Sequence, residues 1–298
     1  MVRRRNRILV VGGVACGPKA AARARRCDPG AEITIVEEGN LISYGGCGLP
    51  YYISGAVPSR DALLARTPEH FKGVSDIEVL SGTRALAIHR GRLTVEVLDL
   101  KAQRRSTLEY DRLVLATGAS PIVPPIEGRD LAGIHTVKEI PDADRILHSV
   151  VSHGARRAVI VGAGLIGMEM AEVLKERGLE VTLVEALDWL LPAALDEEIA
   201  AVLAGRVRQK GVKVGLGERV LRFEGRGGSV ARVATERGSL EADLVILAIG
   251  VRPNVKLAGE AGLELGPTGA IAVNRHLQTS DPDIYAGGDC VENTHLLT

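Results

Sequence analysis

The loop at residues 43–52 contains the side chain best suited to redox chemistry. Its sequence is SYGGCGLPYY, in which Cys47 has a glycine on each side and Pro50 shortly after it. Glycines leave the sulfur accessible, and a helix that begins just after the cysteine would favour the nucleophilic thiolate. The positions five residues away are Ile42 and Tyr52, so no neighbouring cysteine can form a local disulfide. We therefore predict that Cys47 exchanges with a small thiol, or cycles through a sulfenic acid or persulfide.

Residues 157–185 contain a glycine pattern typical of dinucleotide binding. A predicted strand leads into G-x-G-x-x-G, and a helix is predicted over roughly residues 165–177. The three glycines allow a tight turn, close approach of a pyrophosphate and close packing of helix on strand. Glu185 ends the next strand, where a carboxylate can bind the ribose hydroxyls and repels a 2′-phosphate. No arginine immediately follows Glu185 to attract that phosphate, so NADH is favoured over NADPH. The predicted NAD contacts are Gly162, Gly164, Leu165, Ile166, Gly167, Glu185 and Gly250.

Residues 7–38 repeat this arrangement with a less regular turn. Val14 stands at the second glycine position, although Gly13 beside it keeps the turn small. Glu37 is the candidate ribose acid, and the late Gly287-Gly288-Asp289 turn adds a carboxylate that can bind a ribitol or ribose hydroxyl. An internal duplication of such a unit supports a nucleotide site more strongly than either copy alone. The predicted FAD contacts are Gly12, Gly13, Val14, Gly17, Glu37, Thr117, Gly118 and Asp289.

The elements that must position these residues are those of a parallel α/β protein. The chain has 298 residues, 46% of them hydrophobic, with 35 glycines and many short aliphatic runs. We predict two Rossmann-like, three-layer domains, with the NAD(P)H domain inserted in the FAD domain. The FAD domain is expected at residues 1–120 and 252–298, a linker at 121–145 and the NAD(P)H domain at 146–251. The segments YDRLVLATG and ADLVILAIG resemble each other both in pattern and in the glycine at which they end.

Composition argues against several other functions. Basic and acidic residues are equal in number, 37 of each, so nothing steers the chain to nucleic acid or a membrane surface. The apolar run after the basic N-terminus is too short for a signal peptide or a membrane span. Four irregularly spaced cysteines indicate a reducing cytoplasm, and the seven histidines show no metal-ligand spacing, so no metal is predicted.

Six motifs together resemble a known family, the pyridine nucleotide–disulfide oxidoreductases, over essentially the whole chain. They are GGVACGPKAAARARR, ISYGGCGLPYYISG, LVLATGASP, VIVGAGLIGMEMAE, LAIGVRPN and IYAGGDC. Within the family they are similar to the single-cysteine branch of coenzyme A disulfide reductases, NADH oxidases and persulfide or polysulfide reductases. The resemblance implies that NADH reduces FAD and that FAD reduces a disulfide on the nucleophile Cys47.

The resemblance also implies a substrate site and a missing part. Lys19, Arg23 and Arg26 share one face of the first helix by their spacing, which fits either a solvated face or a site for an anionic thiol such as coenzyme A. With Ser43 and Gly46 they stand where coenzyme A reductases hold their thiol, although Gly46 replaces a common asparagine, which leaves the substrate open.

The family's C-terminal dimerisation domain does not follow Thr298, so we expect a fragment of a longer, homodimeric enzyme. The alternatives are an NADH oxidase or peroxidase using a Cys47 sulfenic acid, an inactive nucleotide-binding fragment, and a reductase that feeds a protein partner without using the cysteine.

Overall fold

A computed structural model of the chain describes residues 5–293, which fall into two compact units. The first unit contains residues up to Gly45, Leu64–Ser120 and the residues from Pro253 onward. The second unit contains Gly46–Leu63 and Pro121–Arg252. Both segments of the second unit are thus inserted in the sequence of the first.

Seven α-helices and eighteen strands are assigned within residues 5–293. In chain order they are β1 (Arg7–Val11), α1 (Cys16–Cys27), β2 (Glu32–Val36), α2 (Leu49–Ser54), α3 (Pro68–Ser75), β3 (Ile77–Leu80), β4 (Thr83–His89), β5 (Thr94–Asp99), β6 (Arg104–Glu109), β7 (Arg112–Leu115), β8 (Ala119–Pro121), β9 (Ile134–His135), α4 (Ile140–Leu147), β10 (Arg157–Val161), α5 (Leu165–Glu176), β11 (Glu180–Val184), α6 (Glu197–Gln209), β12 (Lys213–Gly215), β13 (Val220–Arg226), β14 (Ser229–Thr235), β15 (Gly238–Glu241), β16 (Leu244–Leu247), β17 (Val251–Pro253), α7 (Lys256–Glu260) and β18 (Ile284–Ala286).

The first unit is built on a five-stranded parallel sheet in the order β18-β7-β1-β2-β3. The last three residues of its central strand β1, Leu9–Val11, are buried, as expected of a parallel strand covered on both faces. Helix α1 packs on one face, where Ala21 and Ile35 belong to one apolar cluster. The antiparallel strands β4, β5 and β6 supply residues such as Val95 to a second cluster with Leu113.

The second unit repeats this plan. Its parallel sheet has the order β12-β11-β10-β16-β9, and the antiparallel strands β13, β14 and β15 form a separate three-stranded sheet. Strand β16 is fully buried and lies beside β10, as β7 lies beside β1 in the first unit. The resemblance between the segments at 110–118 and 242–250 is therefore a real equivalence of position.

An arginine–aspartate pair, which forms an arginine clamp at the first residue of the central strand, occurs in both parallel sheets. In the first unit Asp111 accepts hydrogen bonds from the Arg7 backbone N–H at 2.8 Å and from its guanidinium at 3.2 Å. In the second unit Asp243 accepts from the Arg157 backbone N–H at 3.0 Å and from its guanidinium at 2.7 Å. The Arg157 hydrogen bond is the main cause that lowers the pKa of Asp243. Each clamp fixes the register of the central strand against its neighbour.

The structure confirms the predicted fold class of two Rossmann-like α/β units. It also places helix α5 within a residue of its predicted bounds, 165–177. Residues 40–68 contain α2, a 3-10 turn at Gly46–Gly48 and another at Arg60–Leu63. The functional domain boundaries stay predictions, and residues 46–63 and 121–145 both cluster with the second unit. In the part of the chain described, no helix is long and apolar enough to cross a bilayer.

Candidate active site

The glycine-rich turn of the second unit has the tight geometry that its sequence predicts. Gly162 has a φ of +101°, and a side-chain carbon there would lie 2.5 Å from the carbonyl oxygen of Ala248. A carbon on Gly167 would lie 1.9 Å from the carbonyl oxygen of Gly162, so only glycine fits. A carbon on Gly164, by contrast, would meet nothing within 4 Å. Open space therefore remains at the N-terminus of α5, where free N–H groups can receive a pyrophosphate.

Glu185 ends β11 and braces this turn. One carboxylate oxygen accepts the Ala163 backbone N–H at 2.6 Å, and the other accepts the Leu187 N–H at 2.9 Å. An ionised carboxylate has about four lone-pair directions, so Glu185 keeps capacity for ribose hydroxyls. The acid is thus held by the backbone in the position that ribose recognition requires.

A cleft of about 840 Å³ opens over this edge of the sheet, entirely within the second unit. Its wall includes Gly164, Glu185 and Gly250, together with Leu165 and Ile166, which are 68% and 38% exposed. All the predicted NAD contacts except Gly167 line this cleft, and Gly167 packs beneath the turn. The volume and the largely apolar wall suit a dinucleotide with a few polar anchors.

The first unit has the same turn with different side chains. A carbon on Gly12, whose φ is +110°, would lie 2.1 Å from the Ala116 carbonyl oxygen, and one on Gly17 would lie 1.8 Å from the Gly12 oxygen. Glu37 accepts the Gly13 backbone N–H at 2.6 Å and the Gly39 N–H at 2.7 Å. Val14 is half-buried at the position equivalent to Gly164. The first turn therefore has the same two glycines in close contact with backbone carbonyls, and the same supporting glutamate, as the turn of the second unit.

A second turn of the first unit is fastened by a residue that sequence reasoning missed. The Asn254 side chain donates to the Thr117 carbonyl at 2.9 Å, and the Thr117 hydroxyl donates to the Asn254 carbonyl at 2.7 Å. The Asn254 N–H donates to the carbonyl of Gly118, whose φ is +65°. The GVRPN motif was the available signal for Asn254. Asp289, the last predicted FAD contact, is exposed on the same unit.

Cys47 lies in the 3-10 turn Gly46–Gly48 and is exposed. Helix α2 begins two residues later, and side chains of the second unit hold it at two points. The Tyr52 hydroxyl donates to the Asp144 carboxylate of α4 at 2.9 Å, and the Arg177 guanidinium donates to the Ile53 carbonyl at 2.6 Å. Burial, followed by the hydrogen bond to Asp144, raises the pKa of Tyr52. The segment that carries Cys47 is thus tied to helices α4 and α5 of the nucleotide cleft's own unit.

The predicted substrate residues divide between the two units. Lys19, Arg23 and Arg26 are exposed on α1 in the first unit, and within residues 5–293 none has a hydrogen-bonding or ion-pair partner. Arg25, between them, is instead committed to the carbonyls of Ala31, Ser75 and Asp76. The first unit also contains Ser43, whereas Gly46 accompanies Cys47 in the second.

Ser43 is held in a conformation unusual for a residue with a side chain. Its φ is +49°, its N–H donates to the Gly13 carbonyl at 2.8 Å, and its carbonyl accepts from Ala65 at 2.7 Å. Non-glycine residues in this region cost about 1–3 kcal/mol and persist where neighbouring bonds enforce them, often at functional sites.

The remaining cysteines and histidines offer little chemistry. Cys290 is fully buried, Cys27 ends α1, and burial is the main cause that raises the pKa of the half-buried Cys16 thiol. His135 hydrogen bonds to Ser149 at 3.1 Å, and burial, followed by the charge of Arg145, lowers its pKa to about 4. No metal-ligand cluster of His, Cys, Asp or Glu occurs among the residues that the structure describes.

Comparison with known proteins places this geometry in context. Residues 6–298 match the sequence profile of a family described as pyridine nucleotide-disulphide oxidoreductase. The chain is 38% identical to an NADH oxidase of Methanocaldococcus jannaschii, over 98% of this chain and 64% of that protein. It is 36% identical to a CoA-dependent NAD(P)H sulfur oxidoreductase of Pyrococcus abyssi, over 100% of this chain and 65% of that protein.

A solved structure is similar over the same region. An NAD-dependent persulfide reductase from A. fulgidus superimposes with a TM-score of 0.94 and 44% identity, covering 97% of this chain and 53% of that one. The chain therefore spans about two thirds of the length of the curated relatives and about half of this solved chain.

Proposed function

Because the chain belongs to the pyridine nucleotide-disulphide oxidoreductase family, we propose that it passes electrons from NADH through FAD to Cys47, which reduces a small disulfide, persulfide or polysulfide. The observation that carries the proposal is the pair of equivalent glycine turns, each braced by its own glutamate. Two such turns in one chain call for two dinucleotides, and the exposed Cys47 supplies an acceptor for their electrons.

The residues present fit both nucleotides. The open space at Gly164, the N-terminus of α5 and the Glu185 carboxylate would hold NADH in the cleft of the second unit. The equivalent turn at Gly12 and Glu37 would hold FAD in the first. Bound FAD would supply the two-electron relay between NADH and sulfur, which no side chain provides.

The chemistry at Cys47 is thiol–disulfide exchange. The Cys47 thiolate attacks one sulfur of the substrate, a new S–S bond forms to the cysteine, and the substrate S–S bond breaks to release one thiolate. When the mixed disulfide receives the electron pair of NADH, its S–S bond breaks. This restores the Cys47 thiolate and releases the second thiolate, which takes a proton from water.

We assign the substrate to the class of anionic thiols, of which coenzyme A is one. The support is the row of cations on α1 that have no partner in the described part of the chain, because three such guanidinium or ammonium groups suit phosphate groups. The cysteines are all unpaired, which suits a reducing cytoplasm, and we expect the full-length form to be a homodimer.

The direct test replaces Cys47 by serine. An anaerobic NADH titration of the Cys47→Ser protein should bleach the flavin as in the wild type, because hydride transfer needs only the nucleotide sites. Reduction of coenzyme A disulfide or polysulfide should fall at least a hundredfold. Cys27→Ser, which alters another exposed cysteine, is the control and should keep both activities. Normal disulfide reduction by the Cys47→Ser protein would make Cys47 structural.

A second candidate is an NADH oxidase or peroxidase that cycles Cys47 through a sulfenic acid, and the M. jannaschii relative favours it. Mass analysis of Cys47 after one turnover separates the two. A thiol or sulfane-sulfur adduct supports disulfide or polysulfide reduction, whereas an added oxygen formed with O₂ or peroxide supports the oxidase.

A further inference from the structure

Arg219 is a charged group in the nucleotide cleft with no assigned role. It follows β12 in the second unit, lines the cleft and is exposed. Within residues 5–293 its guanidinium has no hydrogen-bonding or ion-pair partner, although its carbonyl accepts the Glu236 N–H at 3.1 Å. Its neighbour Glu218 also lines the cleft, but that carboxylate accepts the Thr235 hydroxyl at 2.5 Å. Arg219 is therefore the cation left available to a ligand on this wall.

The strand order shows which part of a dinucleotide reaches Arg219. Strands β10, β11 and β12 are adjacent and parallel, so their carboxyl ends meet at one edge of the sheet, about 4.8 Å apart. The glycine turn that suits the pyrophosphate follows β10, and Glu185, which suits the ribose, follows β11. One strand further lies the segment at 216–219, whose Glu218 N–H donates to the Glu185 carbonyl at 2.9 Å. The group attached to the ribose on that side is the adenine.

We propose that Arg219 stacks its guanidinium on the adenine ring and is a specificity-determining residue for the adenosine half of the nucleotide. The inference rests on the proposed nucleotide site. A guanidinium is planar, weakly hydrated and stacks on aromatic faces, and the neighbouring Val220 and Leu187 give the ring apolar walls. A 2′-phosphate is the other ligand for a cation, but Glu185 at the ribose repels it. Arg219 therefore strengthens binding of NADH and NADPH alike.

The test measures binding of oxidised nucleotides, so that no turnover is needed. Trp189, the only tryptophan of the sequence, follows Glu185 by four residues, and its fluorescence should report occupation of the cleft. The FAD-loaded chain is titrated with NAD+, with NADP+ and with nicotinamide mononucleotide, which lacks the adenosine half. Arg219→Ala should raise the Kd for NAD+ and for NADP+ by a similar factor, about tenfold, and leave that of the mononucleotide unchanged. Arg219→Lys, which keeps the positive charge but lacks the planar guanidinium, should recover less than half of the affinity lost in Arg219→Ala.

The control is Arg226→Ala, since Arg226 is an exposed arginine at the far end of β13, the strand that begins just after Arg219, and lies outside the cleft. It should leave all three dissociation constants unchanged. A loss confined to NADP+, full recovery by lysine, or no change in Arg219→Ala would each overturn the stacking role. Failure of the wild type to bind NAD+ would overturn the nucleotide site itself, and the role of Arg219 with it.

Discussion

Glu37 and Glu185 each accept hydrogen bonds from two backbone N–H groups. One N–H belongs to the glycine turn, and the other belongs to the residue two positions after the glutamate itself. Their positions at strand ends follow from sequence spacing. Their bracing role does not, because the acid and the turn are 24 and 22 residues apart and meet only once the parallel strands have paired. The same carboxylate therefore shapes the turn and keeps lone pairs that can accept hydrogen bonds from a ribose.

Replacing Glu185 by arginine tests the nucleotide preference. The change removes the charge that repels a 2′-phosphate and introduces one that attracts it, so the ratio of kcat/KM for NADPH to that for NADH should rise at least tenfold. Activity with NADH should also fall, since the Ala163 and Leu187 N–H groups lose their acceptor. The measurement is steady-state flavin reduction with each nucleotide.

Glu176→Arg is the matched control for this change, because Glu176 is an exposed acid at the far end of α5. It should leave the ratio unchanged. An unaltered ratio in Glu185→Arg would show that the discrimination lies elsewhere.

At the scale of elements, sequence predicted the two helices that follow the dinucleotide-type glycine turns but gave no range for α2, which follows the turn Gly46–Gly48. Helices α1 and α5 begin after a glycine turn, and Gly178 follows α5 with a φ of +85°, a conformation that favours a helix stop. Helix α2 spans only six residues inside a segment rich in glycine, tyrosine and serine, so its local signal is weak. Tertiary contacts from α4 and α5 stabilise it, and no local pattern reports them.

The contact between Arg177 and α2 can be tested directly. Arg177→Met keeps the length of the side chain but removes the hydrogen bond to the Ile53 carbonyl. A hydrogen bond to a charged group contributes about 1.5–3 kcal/mol, so amide exchange in residues 49–54 should accelerate at least tenfold. Hydrogen-exchange mass spectrometry of that peptide is the measurement, with Arg206→Met on α6 as the control. Unchanged exchange in Arg177→Met would mean that other contacts hold α2.

The cationic face of α1 makes a separate prediction. Replacing Lys19, Arg23 and Arg26 together by glutamine should raise the KM for coenzyme A disulfide at least tenfold, because the variant loses three charges that have no partner among residues 5–293. The KM for NADH should stay constant, and so should stability, since exposed unpaired cations contribute little to it. Replacing Arg206, Arg208 and Lys210 at the C-terminal end of α6 by glutamine removes the same number of positive charges and is the control. No change in the disulfide KM would show that this face is only solvated.

At the scale of the whole molecule, the two units have the same structural arrangement. Each contains the glycine turn, the glutamate at a strand end, the same strand order around the central strand and an arginine clamp. Sequence revealed the duplication through the glycine turns and the two LVLATG-like strands. It could not place residues 46–63, which cluster with the second unit although they lie within the predicted FAD domain. That grouping depends on packing between distant segments, which leaves no periodic pattern in the chain.

The duplication supplies a matched pair of substitutions that asks whether the two nucleotide sites act independently. Gly17 and Gly167 stand at the same position of the two turns, and an added side-chain carbon would lie 1.8 Å and 1.9 Å from the carbonyl oxygens of Gly12 and Gly162. Each contact involves backbone that cannot easily move, so each alanine variant should distort its own turn. Gly17→Ala should lose FAD during purification but still bind NAD+ by the fluorescence of Trp189. Gly167→Ala should remain yellow, with FAD at the wild-type ratio, and lose NAD+ binding. If either variant loses both nucleotides while keeping its circular dichroism spectrum, the sites are coupled, and the two turns do not act as separate copies of one binding device.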